Sequence, residues 1–274
     1  MSNDSSKLDK LPHAPEIIAA PSLVAAEPKY PWSPLAAVVV VLVCIIVLPI
    51  VIEIGLSLIP RVLGWSHGRG SSWLRNSPLA NFLYVLVAET LTIGVVYRFV
   101  HHRKISFKQA ISLRKPIWRD VGMAAIGLLA YIGIFIITLT VFQGLFHLNT
   151  SQQQALGFQK GVGGAGLVLA FLSLVVLPPI AEETLFRGFF FGTLRSRKMP
   201  FYLATLITSV FFGFFHLFGG TTSSLLWLAF LDTFVLSLVL CYLREKTGSI
   251  WASMLVHALK NGIVFINLFI ITSR

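Results

Sequence analysis

The chain has 274 residues, of which 55% are hydrophobic and only 12% are charged, whereas a soluble domain carries about 25% charged residues. The mean hydropathy of +0.80 excludes a water-soluble fold, because so much apolar surface could not be hidden from water. The net charge of +11 does not indicate nucleic-acid binding, since the basic residues lie in short loops between apolar runs. We therefore expect an integral membrane protein.

The chain begins with a polar segment, residues 1–33, which we predict to be a disordered cytoplasmic tail because it lacks the layout of a signal peptide. Seven apolar runs follow, each long enough to cross about 30 Å of hydrocarbon as a helix. They lack the two-residue alternation of barrel strands, so the prediction is an all-α, polytopic transmembrane helix bundle. The runs cover residues 35–59, 79–96, 121–146, 167–194, 201–217, 223–243 and 250–271.

Basic residues between these runs predict the topology. The segment between the second and third runs is cytoplasmic by the positive-inside rule. The number of spans then places the N-terminus in the cytoplasm too, together with the basic loops at residues 195–198 and 244–246. An extra or re-entrant eighth segment is the alternative, because Arg61, Arg69 and Arg75 would lie outside. The seven basic residues of the first loop are Arg98, Arg103, Lys104, Lys108, Arg114, Lys115 and Arg119.

The fourth run contains two acids where a charge is costly. An ionisable side chain near the centre of a membrane helix costs about 3 kcal/mol or more, so it is a functional candidate. Pro178 and Pro179 predict a break and a fresh helical start, whose first turn would carry Glu182 and Glu183. Glu183 and Arg187, spaced i, i+4, are predicted to pair, while Glu182 points about 100° away and stays free.

Two later runs carry further polar side chains. His216 lies in the fifth run, and His257 and Asn261 share one face of the seventh. At 1.5 Å per residue, Glu182, His216 and His257 lie at depths of roughly 20, 22 and 16 Å, so three helices can bring them to one layer. The carboxylate could take a proton from water, while the imidazoles bind a metal or, like the Asn261 amide, donate to an oxyanion. Without a His-Glu-x-x-His run, any zinc site would be assembled from separate helices.

These residues form three motifs: Glu182-Glu183-x-x-x-Arg187, Phe212-x-x-x-His216 and His257-x-x-x-Asn261. In this order, each on its own run, they resemble the intramembrane endopeptidases that include the CAAX prenyl proteases and bacteriocin-processing or self-immunity proteins. The resemblance implies a catalytic core at residues 161–274 behind N-terminal transmembrane helices and loops at 34–160. It implies that Glu182 activates water and that both histidines and Asn261 complete the site. It leaves open whether a divalent metal, with zinc expected, is bound by Glu182, His216 and His257.

The expected function is hydrolysis of a peptide bond in a membrane-associated or lipidated protein or peptide, with the bilayer and no nucleic acid as the other partner. In a bacterium, the protein would lie in the plasma or inner membrane. One rival is a scaffold or immunity protein of the same family, although buried ionisable groups would then be costly without purpose. Another is a transporter lined by Glu53, Glu89 and Asp232, although the sequence lacks internal repeats. We instead assign these three acids to interhelical hydrogen bonds or cavity linings, outside the site.

The motif residues also have ordinary structural interpretations. Glu182 and Glu183 could simply cap a helix after the proline break. His216 or His257, taken alone, is more often a hydrogen-bonded residue between helices than a ligand. The shared depth of the three groups favours the functional interpretation.

Overall fold

The chain forms an all-α bundle. The computed structural model describes residues 30–147, 157–158, 162–218 and 225–272, and these ranges contain no strand. The predicted polytopic helix bundle is confirmed. Its long apolar helices are α1 (Pro34–Val62), α3 (Pro78–His102), α5 (Trp118–Phe146), α6 (Ala165–Ser196), α8 (Trp227–Thr247) and α9 (Trp251–Ile271). The shorter helices are α2 (His67–Asn76), α4 (Phe107–Ala110) and α7 (Phe201–Phe215).

Six of the seven predicted runs form helices long enough to cross a membrane. The exception is α7, whose 15 residues extend about 22 Å, short of the hydrocarbon thickness. The region that suggested an eighth segment contains α2. Its ten residues reach only about 15 Å, so α2 cannot cross the membrane alone.

The predicted tail lies mostly outside the described residues, which begin at Tyr30. Tyr30 and Trp32 are both buried. The Trp32 indole Nε1 donates to Thr193 Oγ1 of α6 at 2.8 Å, and Arg197 donates to the carbonyl oxygens of Tyr30 and Trp32. The chain is therefore anchored to the bundle from Tyr30, three residues before the predicted end of the tail.

The three basic loops lie at the same end of the bundle. Arg195 Nη2 is 2.6 Å from Glu245 Oε1, which joins the ends of α6 and α8. Arg114, in the loop before α5, donates to the Thr247 carbonyl oxygen at 3.3 Å. The loops therefore share one side, as the predicted topology requires. The assignment of that side to the cytoplasm, and with it the position of the N-terminus, stays a prediction from the positive-inside rule.

Helix α6 occupies the centre of the bundle and contacts α1, α3, α7, α8 and α9. Its π-helical stretch Thr184–Phe191 is buried at every position. Gly188 allows the close approach of the loop after α4, because a Cβ atom here would lie 2.7 Å from Ile111 Cβ and 2.9 Å from Ile111 Cα. Glu183, which precedes this stretch directly, is also completely buried.

The double proline does not break α6. The helix passes through Pro178 and Pro179 after a π-helical turn at Leu172–Val176. Proline lacks an N–H group and its ring crowds the preceding turn, and the wider turn makes room for it. Glu182 and Glu183 consequently lie inside a continuous helix. The prediction that both acids lie in a first helical turn near the helix dipole was wrong, because the α-helical segment Leu177–Glu183 has the prolines in its first turn and the acids at its end.

Candidate active site

Glu183 and Arg187 form the predicted ion pair. Arg187 Nη1 donates to Glu183 Oε1 at 2.9 Å, and both side chains are completely buried. The Arg187 guanidinium carbon also lies 4.3 Å from the centre of the Phe212 ring, a cation–π contact. Because removing one member would leave an uncompensated buried charge, this pair must stay intact for the core to remain stable.

His257 joins the same carboxylate from α9. Its Nδ1 atom lies 2.9 Å from Glu183 Oε1. A carboxylate only accepts hydrogen bonds, so this contact assigns the proton of the neutral imidazole to Nδ1 and leaves Nε2 with a lone pair. Glu183 therefore holds both the Arg187 charge and the orientation of His257. The i, i+4 spacing predicted only the first of these contacts.

Glu182 is on a different face of α6 and lies near the Nε2 side of the His257 ring, which does not contact Glu183. Its Oε2 atom is 3.8 Å from His257 Nε2, too far for a hydrogen bond, and its side chain is 26% exposed. This oxygen is buried and has no hydrogen-bond partner among the described residues. A carboxylate oxygen in this position is available to a water molecule or a substrate.

His216 follows directly after α7. Its Nδ1 atom lies 2.8 Å from the Phe212 carbonyl oxygen. Because a carbonyl can only accept, Nδ1 carries the proton, and Nε2 is again left with a lone pair. The Phe212 ring lies beside both histidines, with its centre 4.9 Å from that of His216 and 5.8 Å from that of His257. Phe212 therefore packs the two imidazoles as well as the Arg187 guanidinium.

The prolines of α6 help to place Asn261. The Leu174 carbonyl would bond to the N–H four residues later in an α-helix, or five residues later in a π-helix. Those residues are Pro178 and Pro179, which have no N–H. Asn261 Nδ2 donates to the Leu174 oxygen instead, at 3.0 Å. This bond fixes the orientation of the Asn261 amide. The amide oxygen and the second amide N–H take no part in the bond to Leu174.

Four of the six candidate residues line one cavity of about 160 Å³ between α6, α8 and α9: Glu182, His216, His257 and Asn261. Glu183 and Arg187 do not line it and lie behind His257. The cavity is large enough for water molecules, which need polar partners of this kind. The structure thus brings the predicted residues together, while their chemical roles remain predictions.

Lys260 has a definite partner. Its Nζ atom lies 2.7 Å from Asp232 Oδ2, and the Tyr131 hydroxyl donates to Asp232 Oδ1. Asp232 therefore makes the interhelical contacts expected of it. Asp232 and Lys260 also line a second, mostly apolar cavity of about 520 Å³ between α5, α8 and α9. This larger cavity adjoins the one that contains Glu182, since both share Asp232 and Lys260.

Glu89 was left out of the predicted site, yet it lies close to it. Together with Glu182 and His216 it lines a third cavity, of about 180 Å³, between α1, α3, α6 and α7. The signal in the sequence was the intramembrane acid itself. Nothing in its spacing connected residue 89 with residue 182. Glu53, the other acid of the N-terminal helices, does not line this cavity and is exposed on the bundle surface.

The donor types suit zinc, but their arrangement does not define a metal site. Neutral imidazole nitrogens and a carboxylate are common zinc ligands, and the Nδ1 bonds of His216 and His257 resemble those that orient metal-binding histidines. Within the described ranges, however, no three His, Cys, Asp or Glu side chains are arranged to hold an ion. The zinc ion therefore stays a prediction, and we derive no reaction step from it.

Residues 164–263 match the family model described as type II CAAX prenyl endopeptidase Rce1-like. This segment contains all three motifs, and the match confirms the predicted family resemblance there. An uncharacterized 24.3 kDa protein of Escherichia coli is 34% identical over 92 residues, which are 33% of this chain and 40% of that protein. The chain thus matches less than half the length of this relative. No solved structure matches at a significant level.

Proposed function

We propose that this integral membrane protein is an endopeptidase that hydrolyses a peptide bond of a membrane-associated protein or peptide. The observation that carries the proposal is the shared cavity, in which the Glu182 carboxylate faces two imidazoles. A free carboxylate beside such groups, in an interior with little water, suits the activation of a water molecule. The family match of the segment that contains the cavity supports this activity.

Glu182 is the proposed general base. It takes a proton from water while the water oxygen attacks the carbonyl carbon of the peptide. It then gives that proton to the leaving nitrogen as the carbon–nitrogen bond breaks. The second N–H of Asn261 would stabilise the negative oxygen formed on the way. The Nε2 lone pairs of His216 and His257 would accept a hydrogen bond from the attacking water. Glu183 and Arg187 act as positioning residues, because they hold His257 and do not reach the cavity.

The adjoining apolar cavity favours a substrate that resides in the membrane. Its lining includes Ile132, Phe135 and Ile263, so it can receive an apolar side chain or an attached lipid. It meets the Glu182 cavity at the pair of Lys260 and Asp232. A scissile peptide could therefore reach Glu182 while its apolar part remains in contact with the bundle.

Comparative proteomics of membranes tests this function. Cells that produce the wild type are compared with cells that produce Glu182→Gln or the matched control Glu53→Gln, since Glu53 is an exposed intramembrane acid that lines none of the three cavities described above. We expect a cleavage fragment that disappears with Glu182→Gln and persists with Glu53→Gln. The same fragments in all three samples would contradict the proposal. A phenotype that survives Glu182→Gln in a well-expressed protein would favour a binding scaffold.

A bound divalent metal, with zinc expected, is part of this proposal and rests on the family resemblance and on the donor types. Elemental analysis of purified protein should then find about one zinc per chain, and His216→Ala and His257→Ala should each lower that content. Chelation should remove cleavage, and added zinc should restore it. Full turnover by protein shown to be free of metal would contradict the metal and leave the acid–base role of Glu182 intact.

A further inference from the structure

The proposed base, Glu182, lines cavities on two sides. One is the cavity of about 160 Å³ that it shares with His257, which adjoins the large apolar cavity between α5, α8 and α9. The other cavity, of about 180 Å³, lies towards the N-terminal helices α1 and α3 and contains Glu89. His216 lines both. A peptide whose scissile bond lies at Glu182 can therefore place residues from the two sides of that bond in different cavities.

Glu89 of α3 lies at nearly the same depth as Glu182. At about 1.5 Å per residue, Glu89 is about 20 Å from the end of α3 at His102, and Glu182 is about 21 Å from the end of α6 at Ser196. Both helix ends adjoin the basic loops, which share one side of the bundle. A substrate side chain in the Glu89 cavity would therefore stay in the same layer as the proposed base.

Glu89 differs from Glu183 and Asp232 because no cation accompanies it. Glu183 is paired with Arg187, and Asp232 is paired with Lys260. Glu89 has no hydrogen bond or ion pair with another residue in the described part of the chain, and no lysine or arginine of that part lines its cavity. An acid inside a membrane bundle is costly unless it has a partner. A cationic group that enters the cavity would supply this partner.

The other residues that line the Glu89 cavity suit a long basic side chain. Apolar and aromatic side chains form much of the lining, among them Ile45 of α1, Phe186 of α6 and Phe215 of α7. The aliphatic stem of a lysine or an arginine can lie along such walls while its charged end reaches an acid, and aromatic rings attract cations. A neutral side chain would leave Glu89 without a partner, and an acidic one would be repelled by Glu89 and Glu182.

We propose that the Glu89 cavity is a substrate-binding subsite for a lysine or arginine side chain close to the scissile bond, an inference that rests on the proposed endopeptidase function. Glu89 is then a specificity-determining residue. The apolar part of the substrate occupies the cavity between α5, α8 and α9, so it lies on the other side of the scissile bond from the basic residue. Glu89 lies outside residues 164–263, which match the family model, so this selectivity comes from the N-terminal helices.

Changes in the substrate test the subsite with the wild-type protein. The membrane fragments that depend on Glu182 define the cut sites, and we expect a lysine or an arginine within a few residues of each cut. Synthetic peptides that span a cut site are then cleaved by protein purified in detergent. Leucine in place of the basic residue should lower kcat/KM by at least about tenfold, because Glu89 loses its partner, and glutamate should lower it further. Equal cleavage of the three peptides, or cut sites without a nearby basic residue, would overturn the subsite.

Charge reversal at Glu89 separates recognition of the substrate from a structural role. Glu89→Lys should cleave the glutamate peptide faster than the basic peptide, and Glu89→Gln should cleave both at similar rates. Each preference is a ratio measured on one preparation, so a partly unfolded variant lowers both rates and leaves the ratio unchanged. Glu53→Gln is the matched control and should keep the wild-type ratio. A wild-type ratio in the Glu89 variants would overturn the proposal.

Glu182→Gln, measured in the same assay, separates this inference from the proposed function. If Glu182→Gln abolishes cleavage while the wild type cleaves the basic, leucine and glutamate peptides equally, the subsite is wrong and the endopeptidase proposal stands. If no membrane fragment depends on Glu182, the endopeptidase proposal itself is wrong, and the subsite with it.

Discussion

Two neighbouring acids of α6, Glu182 and Glu183, lie on different sides of the helix and in opposite environments. On the closed side, Glu183 is completely buried and its Oε1 atom contacts both Arg187 and His257. On the open side, the Glu182 side chain is 26% exposed and lies between two cavities. A glutamate side chain can thus serve either positioning or proton transfer, because its surroundings decide whether its charge is paired with a partner.

Arg187→Ala should have the largest effect on stability, because it removes the cation of the closed side. Breaking a buried pair costs about 3 to 5 kcal/mol. We therefore expect a marked fall in the free energy of unfolding and a lower melting temperature, with activity lost in parallel. Arg75→Ala, an exposed arginine of α2, is the control and should change stability by less than about 0.5 kcal/mol. An Arg187→Ala protein as stable as this control would mean that the buried pair does not support the fold.

Glu183→Gln should destabilise the fold about as much as Arg187→Ala, because the buried Arg187 guanidinium then loses its anion, and it adds an effect on the orientation of His257. The amide keeps the shape of the side chain but removes the charge that holds His257 Nδ1 and Arg187. Loss of a residue that orients a functional histidine typically costs about 10-fold to 100-fold in activity. We expect kcat to fall by that factor and the melting temperature to fall as well. Wild-type kinetics and stability would show that the contact between Glu183 and His257 has no positioning role.

Reporter fusions that test the topology should have the smallest effect on the protein, since they leave the site unchanged. Reporters placed after Arg103 and after Lys198 should both indicate the cytoplasm, because both loops are basic and lie at the same end of the bundle. This result would define the membrane side from which the two faces of α6 are reached. Opposite signals at the two positions would mean that the number of spans between them is wrong.

The sequence predicted the fold well because lipid restricts the choice of structure. A continuous apolar run must satisfy its own backbone, so run length and composition were enough to predict the bundle. The i, i+4 spacing predicted the contact between Glu183 and Arg187 because both lie on one helix. Depth along the helices predicted that Glu182, His216 and His257 would meet.

Contacts between distant parts of the chain could not be predicted in this way. The bond between Glu183 and His257 joins residues 74 positions apart, and no local pattern connects Glu89 of α3 with Glu182. The prolines misled the prediction for a related reason. They suggested a break, whereas a wider turn lets α6 continue, and Asn261 of α9 binds the Leu174 carbonyl for which they provide no donor.

The most direct test of the division between the two sides of α6 compares Glu182→Gln with Arg187→Ala, both purified in detergent. Melting temperature and peptide cleavage are measured on the same preparations. Glu182→Gln should lose turnover by about 10²-fold to 10⁴-fold, as expected for a general base, and melt close to the wild-type temperature. Arg187→Ala should lose both activity and stability. A Glu182→Gln protein that fails to fold, beside a stable and active Arg187→Ala protein, would contradict the account and reverse the roles assigned to the two sides of α6.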